Sequence, residues 1–142
     1  MLFAITSIGR RQIEEIPHRE DFELWTRRLS NEQLQAIRDD LNRRVGGGEV
    51  HTSSWIPGSD WTDTVFQPIY EIASGYDPIA AARCFGLILW HVMMIRPENW
   101  SFGRYEKDGV PIEGLTYFRI DCVFLLGEDR RRKADHQACQ GK

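Results

Sequence analysis

The sequence predicts a single α+β domain in which about four helices, one of them central and apolar, pack on a small, mainly antiparallel sheet. The first observation is an almost wholly apolar segment over residues 78–96, which is typical of a helix buried on most sides. The second is the run from Leu115 to Leu126, where residues alternate as in a strand with one buried face. The third is the length of 142 residues, which suits one core and leaves no room for a second.

The first elements are a short strand and an amphipathic helix. Residues 2–8 form a mostly apolar run that ends at a glycine, which predicts a buried strand. Phe22, Trp25 and Leu29 then recur at helical spacing, and Pro17 suits the approach to that helix.

The next helix is predicted over 31–45 by its boundaries. Ser30 and Gln33 make a capping box, because each side chain can satisfy a free backbone N–H at the helix start. Gly46 can end the helix in the left-handed conformation. The apolar stripe of this helix consists of Leu34, Ile37, Leu41 and Val45.

A long loop and a second capping box follow. The three glycines from Gly46 open an Ω-type loop that runs to Asp63 and carries Trp and Ile side chains over the core. Residues 64–73 look helical, with Thr64 and Gln67 as the capping box. Pro68 predicts either an irregular first turn or a helix that begins at Pro68 itself.

The central helix is predicted from Asp77, as N-cap, to the residue before Pro97. Small Ala82 and Gly86, one turn apart, predict a place where another backbone approaches closely. The residues expected to be mostly buried on this helix are Phe85, Ile88, Leu89, Val92 and Ile95.

The remaining chain predicts two strands and a tail. Residues 100–106 lead into a turn at Lys107-Asp108-Gly109, and the strand over 115–126 follows. Residues 127–142 contain no large apolar side chain, so we predict a domain over 1–126 and a charged tail over 127–142.

Composition excludes several classes of protein. The formal net charge is −3 with a pI near 5.8, which gives no general attraction to nucleic acid or to an anionic membrane. Cys84, Cys122 and Cys139 are odd in number and widely spaced, which predicts a reducing cytoplasm, no disulfide framework and no metal or other cofactor. The apolar stretch from Cys84 to Ile95 is too short to span a bilayer, and no signal peptide is recognisable.

Basic and aromatic residues interleave near the predicted strands. Such a face can stack bases, but nearby acidic residues dilute its charge, so a solvated sheet face is the better interpretation and nucleic-acid binding is disfavoured. The interleaved residues are Arg104, Tyr105, Lys107, Tyr117 and Arg119.

Three residues are candidates for acid–base chemistry. His51 and Asp60 lie in the Gly- and Pro-marked loop with Ser53 and Ser54, a set that could build an acyl-transfer triad. The alternative is that these polar residues make local turn hydrogen bonds.

His91 lies near Arg83 on the helical wheel, where it could act as a base close to Glu71 or Asp121. The alternative is a histidine at the edge of the core that bonds a backbone carbonyl.

Five residues are candidates for binding a ligand or a partner. Trp55, Trp61 and Trp100 fall in predicted loops or strand ends, and tryptophan is enriched at interface centres. Arg83, as a pair with His91, could bind an anion, and Arg104 belongs to the basic and aromatic set named above, which could contact phosphate groups. Together with the apolar central helix, the tryptophans predict a two-fold homodimer.

Three segments between Trp55 and Arg119 read WIPGSDWTDTVFQPIYE, HVMMIRPENWSFGRYEKDG and GLTYFR. This region resembles small orphan proteins encoded by mobile gene cassettes of bacterial integrons. The resemblance implies a compact α+β domain, frequently oligomeric, with an accessory role in the bacterial cytoplasm, and it carries over no functional residue.

No catalytic set recurs with diagnostic spacing. The function predicted from the sequence is therefore a non-enzymatic binding or interaction module for a small molecule or a protein. The alternative is a small hydrolase that uses His51, Asp60 or His91.

Overall fold

The chain folds as an α+β protein in which one apolar helix lies between a sheet and the other helices. The computed structural model describes residues 1–52, 60–111 and 114–120, leaving aside the side chains of Lys107 and Pro111. The helices of this part are α1 (Arg19–Arg28), α2 (Asn31–Val45) and α3 (Pro78–Ile95), with a π-helical turn at Ile69–Ala73. The strands are β1 (Leu2–Thr6), β2 (Gly9–Gln12), β3 (Val50–Thr52), β4 (Trp100–Gly103), β5 (Glu106–Lys107), β6 (Val110–Pro111) and β7 (Thr116–Arg119).

The main sheet has the strand order β2-β1-β4-β7-β3 and is mainly antiparallel, as predicted. Only the β1–β4 pair is parallel within the described sheet, and it places Leu2 opposite Trp100. The register places Phe102 opposite Tyr117, on the same side as Trp100. Since directly paired residues share a face, these side chains line the face that packs on the helices.

Helix α3 forms the core, and most of its predicted buried residues are buried. The buried side chains of this helix are Ala81, Cys84, Phe85, Leu87, Ile88, Leu89, Trp90, Val92 and Met93. The prediction for Ile95 is wrong, because its side chain is 65% exposed. Ile95 continues the stripe of Ile88 and Val92 and lies in the last turn of α3.

The capping residues that begin α2 and α3 were predicted correctly. Ser30 and Gln33 form the reciprocal capping box, and the Asp77 carboxylate accepts from the backbone N–H groups of Ile79 and Ala80. The prediction for Gly46 is wrong, since this residue remains right-handed with φ of −65°. Its N–H still donates to the Asn42 carbonyl, so the chain leaves the helix without a left-handed cap.

The helix predicted over 64–73 forms only in its second part: residues 64–66 form a bend and a turn, residues 67–68 are α-helical, and Ile69–Ala73 is π-helical. Thr64 accepts from the N–H of Phe66, and Gln67 accepts from the N–H of Asp63, so the second capping box does not form. Pro68 has no N–H to donate to the Thr64 carbonyl, which explains why a regular helix does not begin there.

Two short strands went unrecognised in the sequence. β2 pairs with β1 through a tight turn, and β3 lies inside the predicted loop, where it pairs with β7. β7 is the described part of the strand predicted over 115–126. The turn at Asp108-Gly109 is confirmed, because both residues have positive φ and join β5 to β6. The predicted tail lies outside the described residues.

Helix α3 is long and apolar enough, on length and composition alone, to cross a membrane. The core helix of a soluble protein passes the same test. In this structure α3 packs against α1, α2, β1 and the π-helical turn.

A polar cluster ties the end of α3 to α2 and β4. Arg96 donates to both carboxylate oxygens of Glu98 at 2.7 and 3.0 Å, and also to the carbonyl and side-chain oxygens of Asn42. The Trp100 indole N–H donates to Glu98 at 3.1 Å. Burial alone would raise the pKa of Glu98, but the hydrogen bonds from Arg96 and Trp100 outweigh it and lower the pKa.

We expect Arg96→Ala to lower the free energy of unfolding by about 1–3 kcal/mol, because it leaves a partly buried carboxylate without its bidentate partner. Urea unfolding measures this. The matched control is Arg19→Ala, since Arg19 also pairs with a glutamate, Glu23, but with both side chains at least half exposed. The control should cost less than about 0.5 kcal/mol. Equal losses in the two variants would contradict the importance of the cluster.

Candidate functional site

A cavity of about 550 Å³ opens between the start of α1, the middle of α3 and the chain around β4 and β7. It is lined by residues from four separate parts of the sequence, which only the fold brings together. Two of the predicted binding residues, Arg83 and Arg104, line it. Burial divides the other lining residues into a deep floor and an exposed rim.

The floor is formed by Leu87, Trp90 and Tyr117, each of which is at most 9% exposed. Trp90 is held in place twice: its indole N–H donates to the Glu15 carbonyl at 3.2 Å, and its ring meets Phe102 edge-on at 4.7 Å between centroids. The aromatic floor is therefore fixed before any ligand arrives.

Tyr117 places a polar atom in this otherwise apolar floor. Its side chain is 1% exposed, and no hydrogen bond to its hydroxyl is found within residues 1–52, 60–111 and 114–120. Burial raises the pKa of Tyr117, so the hydroxyl remains protonated and able to donate. The expectation that Tyr117 lies on a solvated sheet face is wrong, because the face it occupies is the one that packs on α3.

Ala82 and Gly86 form a wall of the cavity on α3. The expectation that a second backbone approaches them is wrong. Among the described residues, no atom lies within 4 Å of a Cβ built on Gly86, so these residues leave the space beside this turn of the helix open. The small residues leave room for the cavity and serve no close contact between backbones.

The rim carries charged side chains. Arg83 and Arg104 are exposed, and within the described residues neither forms an ion pair or a side-chain hydrogen bond. Asp21, in the first turn of α1, supplies a carboxylate, and the partly buried Trp25 supplies a further ring. The rim thus has two positive groups and one negative group.

His18 stands at the entrance, as the N-cap residue of α1. Its backbone is left-handed, with φ of 52° and ψ of 46°, and its side chain makes no capping hydrogen bond. A non-glycine residue in this conformation is strained by about 1 kcal/mol. The uncapped start of α1 therefore faces the cavity with its positive dipole end.

The predicted acid–base residues lie apart from the cavity lining. His51 donates from Nε2 to the Val45 carbonyl at 2.9 Å and thereby satisfies the end of α2. Asp60 accepts from the N–H of Thr62 at 3.0 Å, and that hydrogen bond lowers the pKa of its exposed carboxyl. Ser53 and Ser54 lie outside the described residues.

His91 pairs with Arg38 and contacts neither Arg83 nor Glu71. Arg38 donates to His91 Nδ1 at 2.8 Å, and the Phe22 ring meets the imidazole at 5.5 Å between centroids. Because a guanidinium can only donate, the imidazole is neutral with its proton on Nε2. Asp121, its other expected neighbour, lies outside the described residues.

Two of the three candidate tryptophans are inside the core. Trp61 is 6% exposed and meets Phe85 edge-on, and Trp100 is 1% exposed beside His51. Neither ring offers a surface to a partner in this structure, because β4 is an inner strand and Trp61 packs on α3. Trp55 lies outside the described residues.

Cysteine and metal chemistry find little support in the part of the chain that is described. Burial raises the pKa of Cys84 to about 12, so this thiol remains protonated. The described residues contain no group of three or more His, Cys, Asp or Glu side chains that could hold a metal ion.

Sequence reasoning missed most of the cavity. It placed Arg83 and Arg104 in two unrelated hypotheses, and it treated Trp25 only as an apolar helix position. The one local signal was Gly86, a glycine in the middle of an otherwise strong helix.

The His91–Arg38 contact predicts a pH dependence of stability. Burial, followed by repulsion from Arg38 and Arg19, lowers the pKa of His91 below its ordinary value of 6.5. As pH falls through 6.5, the unfolded chain therefore binds a proton before the folded chain does, and stability is lost. We expect the unfolding free energy to fall between pH 7.5 and 5.5 more steeply in the parent protein than in His91→Gln.

The control for this measurement is His18→Asn, which removes an exposed histidine and keeps a residue that tolerates the left-handed conformation. It should retain the slope of the parent protein. If His91→Gln and the parent protein gave parallel curves in urea titrations at each pH, the neutral state of His91 would be refuted.

The chain matches no protein-family model, and no curated protein or solved structure is significantly similar to it. The function of this protein is therefore inferred from the cavity and from the residues that line it.

Proposed function

We propose that this protein binds a small molecule in the cavity between α1, α3 and β7, and that it does so without catalysis. The observation that carries the proposal is a preformed aromatic floor beneath an open, charged rim. This deepens the binding function predicted from the sequence and gives that function a place in the fold.

The size and lining of the cavity favour a small ligand over a macromolecule. Its volume of about 550 Å³ falls in the range of about 300–1,000 Å³ that is typical of ligand pockets. Such pockets combine apolar and aromatic walls with a few polar groups. Here Trp25, Trp90 and Leu87 provide the apolar contacts, while the polar groups stand mainly at the rim.

The cost of Gly86 to helix stability also supports the proposal. A glycine inside a helix costs about 0.5–1 kcal/mol relative to alanine. Packing does not require it, since a Cβ at this position would meet open space. A residue that lowers helix stability while leaving the cavity open fits a protein in which the cavity has a use.

The hydrolase remains the alternative, and it has less support. It requires two of His51, Asp60 and His91 within hydrogen-bond reach. In the described part of the chain each of them bonds to a different group, and no hydrogen bond joins any two. A turnover screen with His91→Ala and Asp60→Ala would distinguish the two functions.

We expect Gly86→Leu to abolish binding, because its side chain enters the cavity. The probes are naphthoate, a two-ring aromatic acid, and its neutral amide, naphthamide, each tested up to millimolar concentration. Proton–nitrogen NMR spectra should show shifts of the indole resonances of Trp25 and Trp90 but not of Trp61. In Gly86→Leu these shifts should disappear.

The matched control is Gly86→Ala, which adds one methyl group, leaves most of the cavity open and should retain binding. It should also raise the unfolding free energy by about 0.5–1 kcal/mol. Absence of shifts with both probes in the parent protein, or undiminished shifts in Gly86→Leu, would refute the proposed function.

The two-fold homodimer and the bacterial cytoplasmic setting remain predictions. Trp61 and Trp100 do not support the dimer, because both side chains are buried in the core. Exposed apolar side chains at Ile5 and Val50, on outer parts of the sheet, are the features that favour it now. Light scattering at micromolar concentration should give twice the chain mass of 16.5 kDa, and a concentration-independent mass of one chain would contradict it.

A further inference from the structure

Building on the proposed function, we infer that the ligand is an aromatic organic acid whose carboxylate is bound at the rim by Arg83 and Arg104 and whose rings lie on the floor at Trp90. Three features of the cavity support this inference: the charge of its rim, the chemistry of its floor and the position of the N-terminal end of α1.

The rim favours an anion. Arg83 lies on α3 and Arg104 follows β4, yet both residues line the same cavity. Neither is neutralised within the described residues, in contrast to Arg96, which has a bidentate partner in Glu98. A guanidinium presents planar, paired donors that match the two oxygens of a carboxylate. Asp21 offsets only one of the two positive charges.

Helix α1 adds to the same preference. His18 and Asp21, at its start, both border the cavity, and the N-cap side chain leaves the first turn uncapped. The positive end of a helix dipole stabilises a nearby anion. The two arginines and the helix end thus favour an anion, and the acidic Glu20 and Asp21 in the first turn offset part of this preference.

The floor excludes a bare inorganic ion. Leu87 and Trp90 give it an apolar surface that a hydrated phosphate or chloride cannot use. Trp90, which its indole hydrogen bond to Glu15 holds in place, and the half-buried Trp25 both line the cavity and supply aromatic rings for contact with a ligand. The ligand therefore needs a flat apolar body as well as a charge.

Tyr117 adds a hydrogen-bonding group to the cavity. Its side chain is more than nine-tenths buried and borders the cavity, and its hydroxyl has no partner in the described residues. The hydroxyl oxygen is not among the fully enclosed polar atoms that lack a partner, so it is accessible from the cavity, where a polar atom on a bound ligand can hydrogen-bond to it.

The test compares naphthoate with naphthamide, which has the same shape without the charge. At low ionic strength we expect the parent protein to bind the acid about tenfold more tightly than the amide. Arg83→Gln and Arg104→Gln should each reduce this preference about threefold, and the double variant should abolish it. Affinity for the amide should remain unchanged in all three variants.

The matched control is Arg27→Gln, which removes an exposed arginine of α1 that does not border the cavity. It should retain the full preference for the acid. The unfolding midpoint in urea verifies that each variant is folded. The cation naphthylmethylamine should bind more weakly than the amide, because the rim is net positive.

The outcomes separate this inference from the proposed function. If acid and amide bind equally, or if the amine binds best, the inference is overturned while the binding function stands. If inorganic phosphate displaces naphthoate at equal concentration, the site is a simple anion site and the aromatic part of the inference is overturned. If neither two-ring probe binds the parent protein, the proposed function itself fails.

Discussion

The structure depends on the burial of helix α3. Its sequence is apolar on almost every side, and nine of its eighteen residues are buried, so it cannot be stable without cover in several directions. The sheet covers one side through Leu2, Trp100 and Tyr117, and α1, α2 and the π-helical turn cover the others. Burial of a single large apolar side chain contributes about 1.5–3 kcal/mol, so this one helix collects a large part of the hydrophobic stabilisation.

The parallel pairing of β1 with β4 determines how the sheet that covers α3 is assembled. It inserts β1 beside a strand almost a hundred residues later, so the sheet is assembled from both halves of the chain. The cluster at Arg96 and Glu98 then fixes the end of α3 to α2 and to the start of β4. Strand β7 places Tyr117 in the lining of the same cavity as the middle of α3.

The cavity occurs where the cover of α3 is incomplete. Between the start of α1 and the chain after β4, the helix presents Ala82 and Gly86, which are too small to fill the space. At Gly86, a larger residue such as leucine would strengthen the helix and close the gap. The weakened helix position at Gly86 and the strained His18 are two local costs that lie at the same cavity. Such concentration is typical of sites that bind ligands.

Features decided by a few neighbouring residues were predictable from the sequence. The capping box at Ser30, the start of α3 at Asp77 and the Asp108-Gly109 turn depend on hydrogen bonds and backbone preferences within four residues. Hydrophobic periodicity likewise identified α2 and α3 and the α+β class.

The tertiary structure alone decided what depends on distant pairing. Residues 50–52 form a strand by pairing with β7, and Ile95 is exposed although it shares the helical stripe of Ile88 and Val92. Arg83 and Arg104 were separate observations in the sequence, since no local rule relates a helix residue to one after a strand. The packing of α3 on the sheet brings both to one cavity, and this proximity is a property of the fold that the sequence pattern does not contain.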